Sequence, residues 1–120
     1  MELWHNPRCS KSRAAKAILD ERRVAYVERR YLEDPPDAAA LDRLLTALGK
    51  EPWEITRMGE PAAKALGLAG RLHDRMERHD RMEWIAVLVA NPVLIERPIL
   101  VTDDGHAVVG RPPEVVSELL

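Results

Sequence analysis

The chain has 120 residues, of which 46% are hydrophobic, and this length predicts one domain, residues 1–120, with a single core. Acidic and basic residues are interspersed and the net charge is only −2, so the composition indicates neither a nucleic-acid partner nor a membrane surface. The longest apolar run, residues 85–90, is far shorter than the ~20 residues of a membrane span. The first residues lack the basic and apolar pattern of a signal peptide, so we expect a cytoplasmic protein.

The first third of the chain predicts a strand, a helix and a second strand. Residues 3–4 begin a short strand, and residues 5–7 end it. Apolar positions then recur at helical spacing within residues 14–19. A second strand is predicted over residues 24–31, and the acidic and proline-rich segment 33–36 ends it. Two strands joined by a helix favour a parallel pair with a right-handed crossover.

The middle of the chain predicts helices. Asp37 is placed to cap a helix whose leucines form one apolar face, and Gly49 is placed to end it. Glycines and a proline divide residues 51–90 into short helical segments, and a longer helix is predicted over residues 82–90.

The last quarter of the chain predicts a hairpin and a helix. Strands are expected at residues 99–102 and 106–110, joined by a turn at residues 103–105, and the final helix is expected at residues 114–120. The order is therefore βαβ, a helical insertion at about residues 37–92, and ββα. This order predicts an α/β fold in which helices cover a mixed sheet.

One hexamer is repeated in the chain. Residues 73–78 read His-Asp-Arg-Met-Glu-Arg, and residues 79–84 read His-Asp-Arg-Met-Glu-Trp. Two copies are too few for a solenoid, so we interpret them as a tandem duplication in a surface segment. His73 and His79 lie six positions apart, on different faces of a helix, and we predict no metal site there.

Cys9 stands between the end of a predicted strand and the start of a helix. The helix N-terminus offers free N–H groups and a partial positive charge, and His5, Arg8 and Lys11 lie close in sequence. These groups lower a thiol pKa, and the hydroxyl of Ser12 can donate a hydrogen bond to the sulfur. A lone cysteine can also be a small buried hydrophobe, and His5 can be a structural strand-end residue. Because the neighbours of Cys9 are polar and cationic, we favour a reactive thiolate.

Because Cys9 is the only cysteine, no intramolecular disulfide can form. Ser12 stands where a dithiol oxidoreductase carries its resolving cysteine, and Ala15 stands where a phosphatase-type loop carries an arginine. Any redox reaction of Cys9 therefore needs a second thiol from another molecule.

Residues 5–13, His-Asn-Pro-Arg-Cys-Ser-Lys-Ser-Arg, resemble the active-site signature of the glutaredoxin-coupled arsenate reductases, the ArsC family. Four further blocks resemble that family in the same order along the chain: residues 31–36, 57–68, 91–99 and 110–114. The resemblance therefore spans nearly the whole chain. It implies a thioredoxin-like fold with a helical insertion between its two halves.

The resemblance also implies roles for individual residues. Cys9 attacks arsenate, His5 helps to keep it ionised, Ser12 is placed to hydrogen-bond the thiolate, and Pro98 is a cis-proline facing the cysteine. The oxyanion is held by three arginines, which correspond to Arg57, Arg97 and Arg111. Glutathione is the co-substrate and glutaredoxin the partner, with no bound cofactor.

Two other functions stay open at this point. The Cys-x-x-Ser pattern of Cys9 and Ser12 is compatible with a monothiol glutaredoxin-like enzyme that removes glutathione from proteins. Spx-like transcriptional regulators share the fold, but they typically sense oxidation through Cys-x-x-Cys, which Ser12 removes. Each of the three arginines can also be an ordinary surface residue, because 32% of the chain is charged.

Overall fold

A computed structural model describes residues 1–73 and 80–120, so the hexamer repeat lies partly outside the described residues. The chain divides into two compact units. The first contains Met1–Pro35 and Arg97–Leu120, and the second contains Pro36–Glu96. The second unit spans nearly the same residues as the helical insertion expected at about 37–92. The single domain over residues 1–120 stays a prediction.

The first unit is built on a mixed sheet, as predicted. Its strands are β1 (Glu2–Trp4), β2 (Val27–Arg29), β3 (Ile99–Val101) and β4 (Ala107–Val109). They lie side by side in the order β2-β1-β3-β4. Strand β1 pairs in parallel with β2 and antiparallel with β3, and β3 pairs antiparallel with β4. The centre of the sheet is thus formed by β1 and β3.

Strand β2 is shorter than the predicted segment 24–31. Glu2 lies opposite Val27 and Trp4 lies opposite Arg29, so β1 offers only three residues for pairing. One further backbone hydrogen bond follows, from the amide of His5 to the carbonyl of Arg29 at 2.8 Å, and the chain then turns toward the helix that follows. The length of β2 is therefore limited by its neighbour and not by its own sequence.

Helix α1 (Ser10–Glu21) packs on the sheet with Ser12, Ala15 and Leu19 as its buried residues. These positions lie at i, i+3 and i+7, which is the spacing of one helix face. Ala14, which the apolar pattern placed on that face, is exposed. The polar Ser12 occupies the buried stripe because it forms hydrogen bonds there, described below.

The C-terminal segment is a 3₁₀ helix, Pro113–Leu119, and not the α-helix expected at residues 114–120. Its first turn closes from the amide of Val115 to the carbonyl of Pro112. Two consecutive prolines supply no amide donors at the start of so short a segment, which favours the tighter turns. The segment buries Val116 against the core of the first unit, which is formed by Leu3, Ala15, Leu19 and Leu100.

In the second unit, helix α2 (Ala38–Leu48) has the predicted ends. The carboxylate of Asp37 accepts a hydrogen bond from the amide of Ala40 at 2.7 Å. Gly49 ends the helix in the left-handed conformation, with φ of 67°, which glycine adopts without a steric penalty.

The remainder of the second unit consists of short helices, as predicted. They are α3 (Pro61–Ala65), α4 (Leu68–His73), α5 (Asp80–Ala90) and 3₁₀ helices at Pro52–Ile55 and Pro92–Leu94. Trp84 of α5 is fully buried, and its indole N–H donates to the hydroxyl of Thr56 at 2.8 Å. Within residues 1–73 and 80–120, no helix has the length and apolar character needed to cross a membrane.

Replacing Gly110 with alanine is expected to destabilise the protein by about 1–3 kcal/mol, as overpacking does. A Cβ at Gly110 would lie 2.8 Å from Cγ of Pro98 and 3.2 Å from Cγ1 of Val116. The proline ring cannot move aside without moving its backbone, so the strain falls on residues beside Arg97. Urea unfolding measures the effect. The matched control is Gly70→Ala, since a Cβ there meets nothing within 4 Å. Equal stability of the two variants would contradict the close packing at Gly110.

Candidate active site

Cys9 is the N-cap residue of α1 and follows β1 by a short loop. Asn6 organises this loop, because its carbonyl accepts the amide hydrogen of Cys9 at 3.0 Å and its side-chain Oδ1 accepts that of Arg8 at 3.0 Å. The thiol is free and only partly buried. The sulfur therefore stands at a helix N-terminus within reach of small solutes.

The surroundings of Cys9 favour its thiolate. Partial burial raises the pKa of the thiol, but hydrogen bonds from the backbone of Ser12, the side chain of Arg97 and the backbone of Lys11 lower it. The positive charge of Arg97 acts in the same direction, and the net result is a pKa below the ordinary value for cysteine. These contacts favour the ionised form of Cys9, and its reactivity stays a prediction.

Arg97 offers two uncommitted hydrogen-bond donors beside this sulfur. Its guanidinium interacts with the side chains of Cys9 and Tyr31. Its Nε and Nη1 atoms are buried and have no hydrogen-bond partner among the described residues. Buried donors without partners are costly, because they lose their hydrogen bonds to water. A hydrogen-bond acceptor supplied by a ligand at either atom would reduce that cost.

Arg111 reaches the same sulfur from a distant part of the chain. Its Nη2 donates to Sγ of Cys9 at 3.8 Å, and its Nε donates to the carbonyl of Arg97 at 2.8 Å. The peptide bond between Arg97 and Pro98 is cis, which is the isomer that the resemblance implied. Two of the three predicted arginines therefore lie at Cys9, and the carbonyl of one orients the other.

The third predicted arginine, Arg57, belongs to the second unit. There its Nε pairs with Glu60 at 3.1 Å and its Nη1 with Glu96 at 3.8 Å. Its amide also donates to the carbonyl of Leu94 at 2.7 Å. These contacts hold Arg57 within its own unit, and its role in oxyanion binding stays a prediction.

The hydroxyl of Ser12 contacts His5, whereas the sequence suggested that it would donate to the sulfur. Its Oγ lies 2.6 Å from Nδ1 of His5 and accepts the amide hydrogen of Asn6 at 3.0 Å. The thiolate is instead stabilised by the backbone of Ser12. His5 is 2% exposed, and burial lowers its pKa, so the imidazole is neutral near pH 7. His5 therefore contacts Ser12 and is not a cation beside the sulfur, and its role in the reaction stays a prediction.

Two residues of this site were not singled out by the sequence. Tyr31 was noted only as the first residue of a motif, yet it is fully buried and interacts with Arg97. Asn6 was read as the end of a strand and as a member of the signature 5–13 without a role of its own, yet three hydrogen bonds of the Cys9 loop meet at it. An asparagine beside a proline is a common loop signal, so nothing local indicated this function.

Alkylation of Cys9 by iodoacetamide is expected to continue at pH values where an ordinary thiol no longer reacts. The rate follows the thiolate fraction, so it falls by half at the thiol pKa, which for Cys9 lies below the ordinary value for cysteine. The experiment is a pH series of alkylation rates with free glutathione as the reference thiol. A midpoint for Cys9 at or above that of glutathione would contradict the activation of this cysteine.

Comparison with known proteins identifies the relatives of this chain. The model of the ArsC family matches residues 4–119. An uncharacterized protein in the glnII region of Streptomyces viridochromogenes is 47% identical, over 100% of this chain and 98% of that protein. A protein from Neisseria meningitidis named arsenate reductase is 36% identical, over 100% and 97% of the two chains. A solved structure from Vibrio cholerae, titled arsenate reductase, has a TM-score of 0.86 and 39% identity, covering 100% of this chain and 98% of the other. The expected thioredoxin-like architecture is thereby confirmed, and this chain belongs to the ArsC family.

Proposed function

We propose that this protein is an arsenate reductase that reduces arsenate to arsenite through Cys9, with electrons from glutathione and glutaredoxin. One observation carries the proposal. The Cys9 sulfur has a lowered pKa and lies beside Arg97, whose Nε and Nη1 are buried without a hydrogen-bond partner among the described residues. Arg111 donates to the same sulfur. A nucleophile and oxyanion donors therefore share one site.

This arrangement suits a small tetrahedral anion. Guanidinium groups are planar and permanently charged, and they bind oxyanions through paired N–H donors. Their charge also offsets the repulsion between the thiolate of Cys9 and an anionic substrate. The same donors stabilise the negative charge that develops on arsenate oxygens as the sulfur attacks. The site thus combines substrate binding with stabilisation of the transition state.

In the first step, the thiolate of Cys9 attacks the arsenic atom. An As–S bond forms, an As–O bond breaks, and the departing oxygen leaves as water after taking up protons. Arsenic keeps its oxidation state, because the thiolate has replaced one oxygen ligand. We assign Arg97 and Arg111 to hold the oxyanion during this step, and we assign Arg57 as the third arginine from the family resemblance.

The second step reduces the arsenic. The thiolate of glutathione attacks Sγ of Cys9, an S–S bond forms, and the electrons of the As–S bond stay on arsenic, which leaves as arsenite. Cys9 is then joined to glutathione as a mixed disulfide. Since the chain contains no second cysteine, an external thiol must release it, and we assign that exchange to glutaredoxin.

A coupled assay tests this function. The purified protein is mixed with arsenate, glutathione, glutaredoxin and glutathione reductase, and NADPH oxidation is followed. We expect oxidation that requires arsenate and falls to background when glutathione or glutaredoxin is left out. Arsenite, quantified separately, should form in proportion to the NADPH consumed.

The same mixture separates the competing functions. Arsenate-independent release of glutathione from a glutathionylated protein, without arsenite, would indicate a monothiol glutaredoxin-like enzyme. Copurification with RNA polymerase, without either turnover, would indicate an Spx-like regulator. Either outcome would overturn the arsenate reductase assignment.

A further inference from the structure

A carboxylate, an imidazole and a hydroxyl form a chain behind the Cys9 loop. We propose that Glu28 is a positioning residue, which fixes the tautomer of His5 and, through Ser12, holds the Cys9 loop in the conformation that stabilises the thiolate. The inference rests on Cys9 being the nucleophile of the proposed function. Glu28 lies in β2, outside the signature that contains Cys9, and it is not one of the three predicted arginines.

Glu28 is held in place facing His5. Its Oε1 lies 4.0 Å from Nε2 of His5 and 3.1 Å from Nζ of Lys16. Its Oε2 accepts a hydrogen bond from Nε of Arg30 at 2.9 Å. The contact with Arg30, together with that of Lys16, lowers the pKa of Glu28, so the group is a carboxylate near pH 7. A fixed negative charge therefore stands on the Nε2 side of the imidazole.

The charge on Glu28 decides where the proton of His5 resides. A neutral imidazole carries one N–H and one acceptor nitrogen. The charged groups around His5 are Glu28 and Arg30 from the β2 side and Arg13 and Lys16 from α1. Glu28 is the anion among them, so it favours the N–H on the Nε2 atom that faces it. Nδ1 is then an acceptor, and the hydroxyl of Ser12 must donate to it across the 2.6 Å separation.

The orientation of the Ser12 hydroxyl supports the hydrogen bonds that hold the Cys9 loop. With its hydrogen donated to His5, Oγ of Ser12 presents its lone pairs to the amide of Asn6 at 3.0 Å. The carbonyl of Asn6 in turn accepts the amide hydrogen of Cys9 at 3.0 Å. The backbone of Ser12 stabilises the thiolate directly. Ser12 therefore anchors the loop before and after the sulfur.

Ser12 has no nucleophilic role in this chain of groups. Its side chain is 0% exposed, so no substrate reaches the hydroxyl. The order of carboxylate, imidazole and hydroxyl therefore serves the neighbouring cysteine, through hydrogen bonds to the backbone that surrounds it. If His5 carried its proton on Nδ1 instead, it would donate to Ser12 Oγ, and the hydroxyl hydrogen would lose its acceptor.

The test compares Glu28→Gln with Asp20→Asn. Asp20 pairs with the same Lys16, at 3.8 Å, and accepts a hydrogen bond from Tyr26, but it makes no contact with His5. Two measurements are made on each variant: the ¹⁵N chemical shifts of His5, which report its tautomer, and the pH dependence of Cys9 alkylation. Neither measurement uses arsenate, so the result stands apart from the success or failure of the coupled assay.

In Glu28→Gln we expect a population of the Nδ1–H tautomer and a rise of about half to one unit in the thiol pKa. The alkylation rate below that pKa then falls roughly threefold to tenfold. Asp20→Asn is expected to leave both measurements unchanged. The sign is informative, because loss of a negative charge acting only through space would lower the thiol pKa and speed alkylation at low pH.

A second substitution tests whether Glu28 affects the thiol pKa of Cys9 through Ser12. In a Ser12→Ala background that unfolds cooperatively, Glu28→Gln is expected to cause no further change in the thiol pKa. The proposal would be overturned if Glu28→Gln left the His5 tautomer unchanged or lowered the thiol pKa of Cys9. It would also be overturned if Glu28→Gln raised that pKa equally in the Ser12→Ala background.

Discussion

The Cys9→Ser variant is expected to lose all arsenate-dependent NADPH oxidation in the coupled assay. A serine hydroxyl is not ionised at neutral pH, and oxygen cannot form the mixed disulfide that carries electrons from glutathione. No other cysteine in the chain can replace it. The loss should therefore be complete, in contrast to the partial loss expected when a binding residue is changed.

Two controls show that this loss is chemical. Because the sulfur is only partly buried and serine is nearly isosteric, the urea unfolding midpoint of Cys9→Ser is expected to stay close to that of the parent protein. Mass spectrometry after incubation with oxidised glutathione should show one added glutathione on the parent chain and none on the variant. Arsenate-dependent turnover by the folded variant would mean that Cys9 is not the nucleophile.

The Arg97→Lys variant is expected to reduce arsenate with a kcat/KM about 100-fold to 1,000-fold below that of the parent protein, as when a transition-state donor is removed. Lysine keeps the positive charge but loses the planar pair of donors. In the structure, Nε and Nη1 of Arg97 are buried and have no hydrogen-bond partner in the described part of the chain. The expected defect therefore measures directed hydrogen bonding and not charge alone.

The reactivity of Cys9 must be measured separately from arsenate reduction. At a pH above the measured thiol pKa of both proteins, the alkylation rate of Arg97→Lys should match that of the parent. Arsenate should slow alkylation of the parent by occupying the site, and this protection should weaken in the variant. Arg22→Lys, at an exposed residue after α1, is the matched control and should behave as the parent does. Equal losses of arsenate use and of alkylation would show that Arg97 is structural.

Local features of the fold were predictable because their causes lie within a few residues. The N-cap at Asp37 and the left-handed glycine at position 49 depend on neighbouring backbone groups. The hairpin of β3 and β4 turns at residues 103–105, where Gly105 has a φ of 86°. Features set by distant neighbours were not predictable. The length of β2, for example, depends on its pairing with β1, which the folded sheet provides.

The sequence also determined one requirement of the chemistry. A single cysteine cannot form an intramolecular disulfide, so any redox cycle of Cys9 needs an external thiol, whatever the fold. The cationic residues near Cys9 and the start of a helix indicated a thiolate from positions close in sequence. The roles of His5, Ser12 and the arginines in turnover stay predictions.

Only the tertiary structure decided which groups touch the sulfur and which atoms they use. Arg111 is 102 residues from Cys9, yet its Nη2 reaches Sγ because β1, β3 and β4 belong to one sheet. The sequence named the Ser12 hydroxyl as a partner of the thiolate, but the fold gives that hydroxyl to His5. Spacing along the chain fixes helix faces and caps, whereas hydrogen-bond partners and burial are set by residues that only folding brings together.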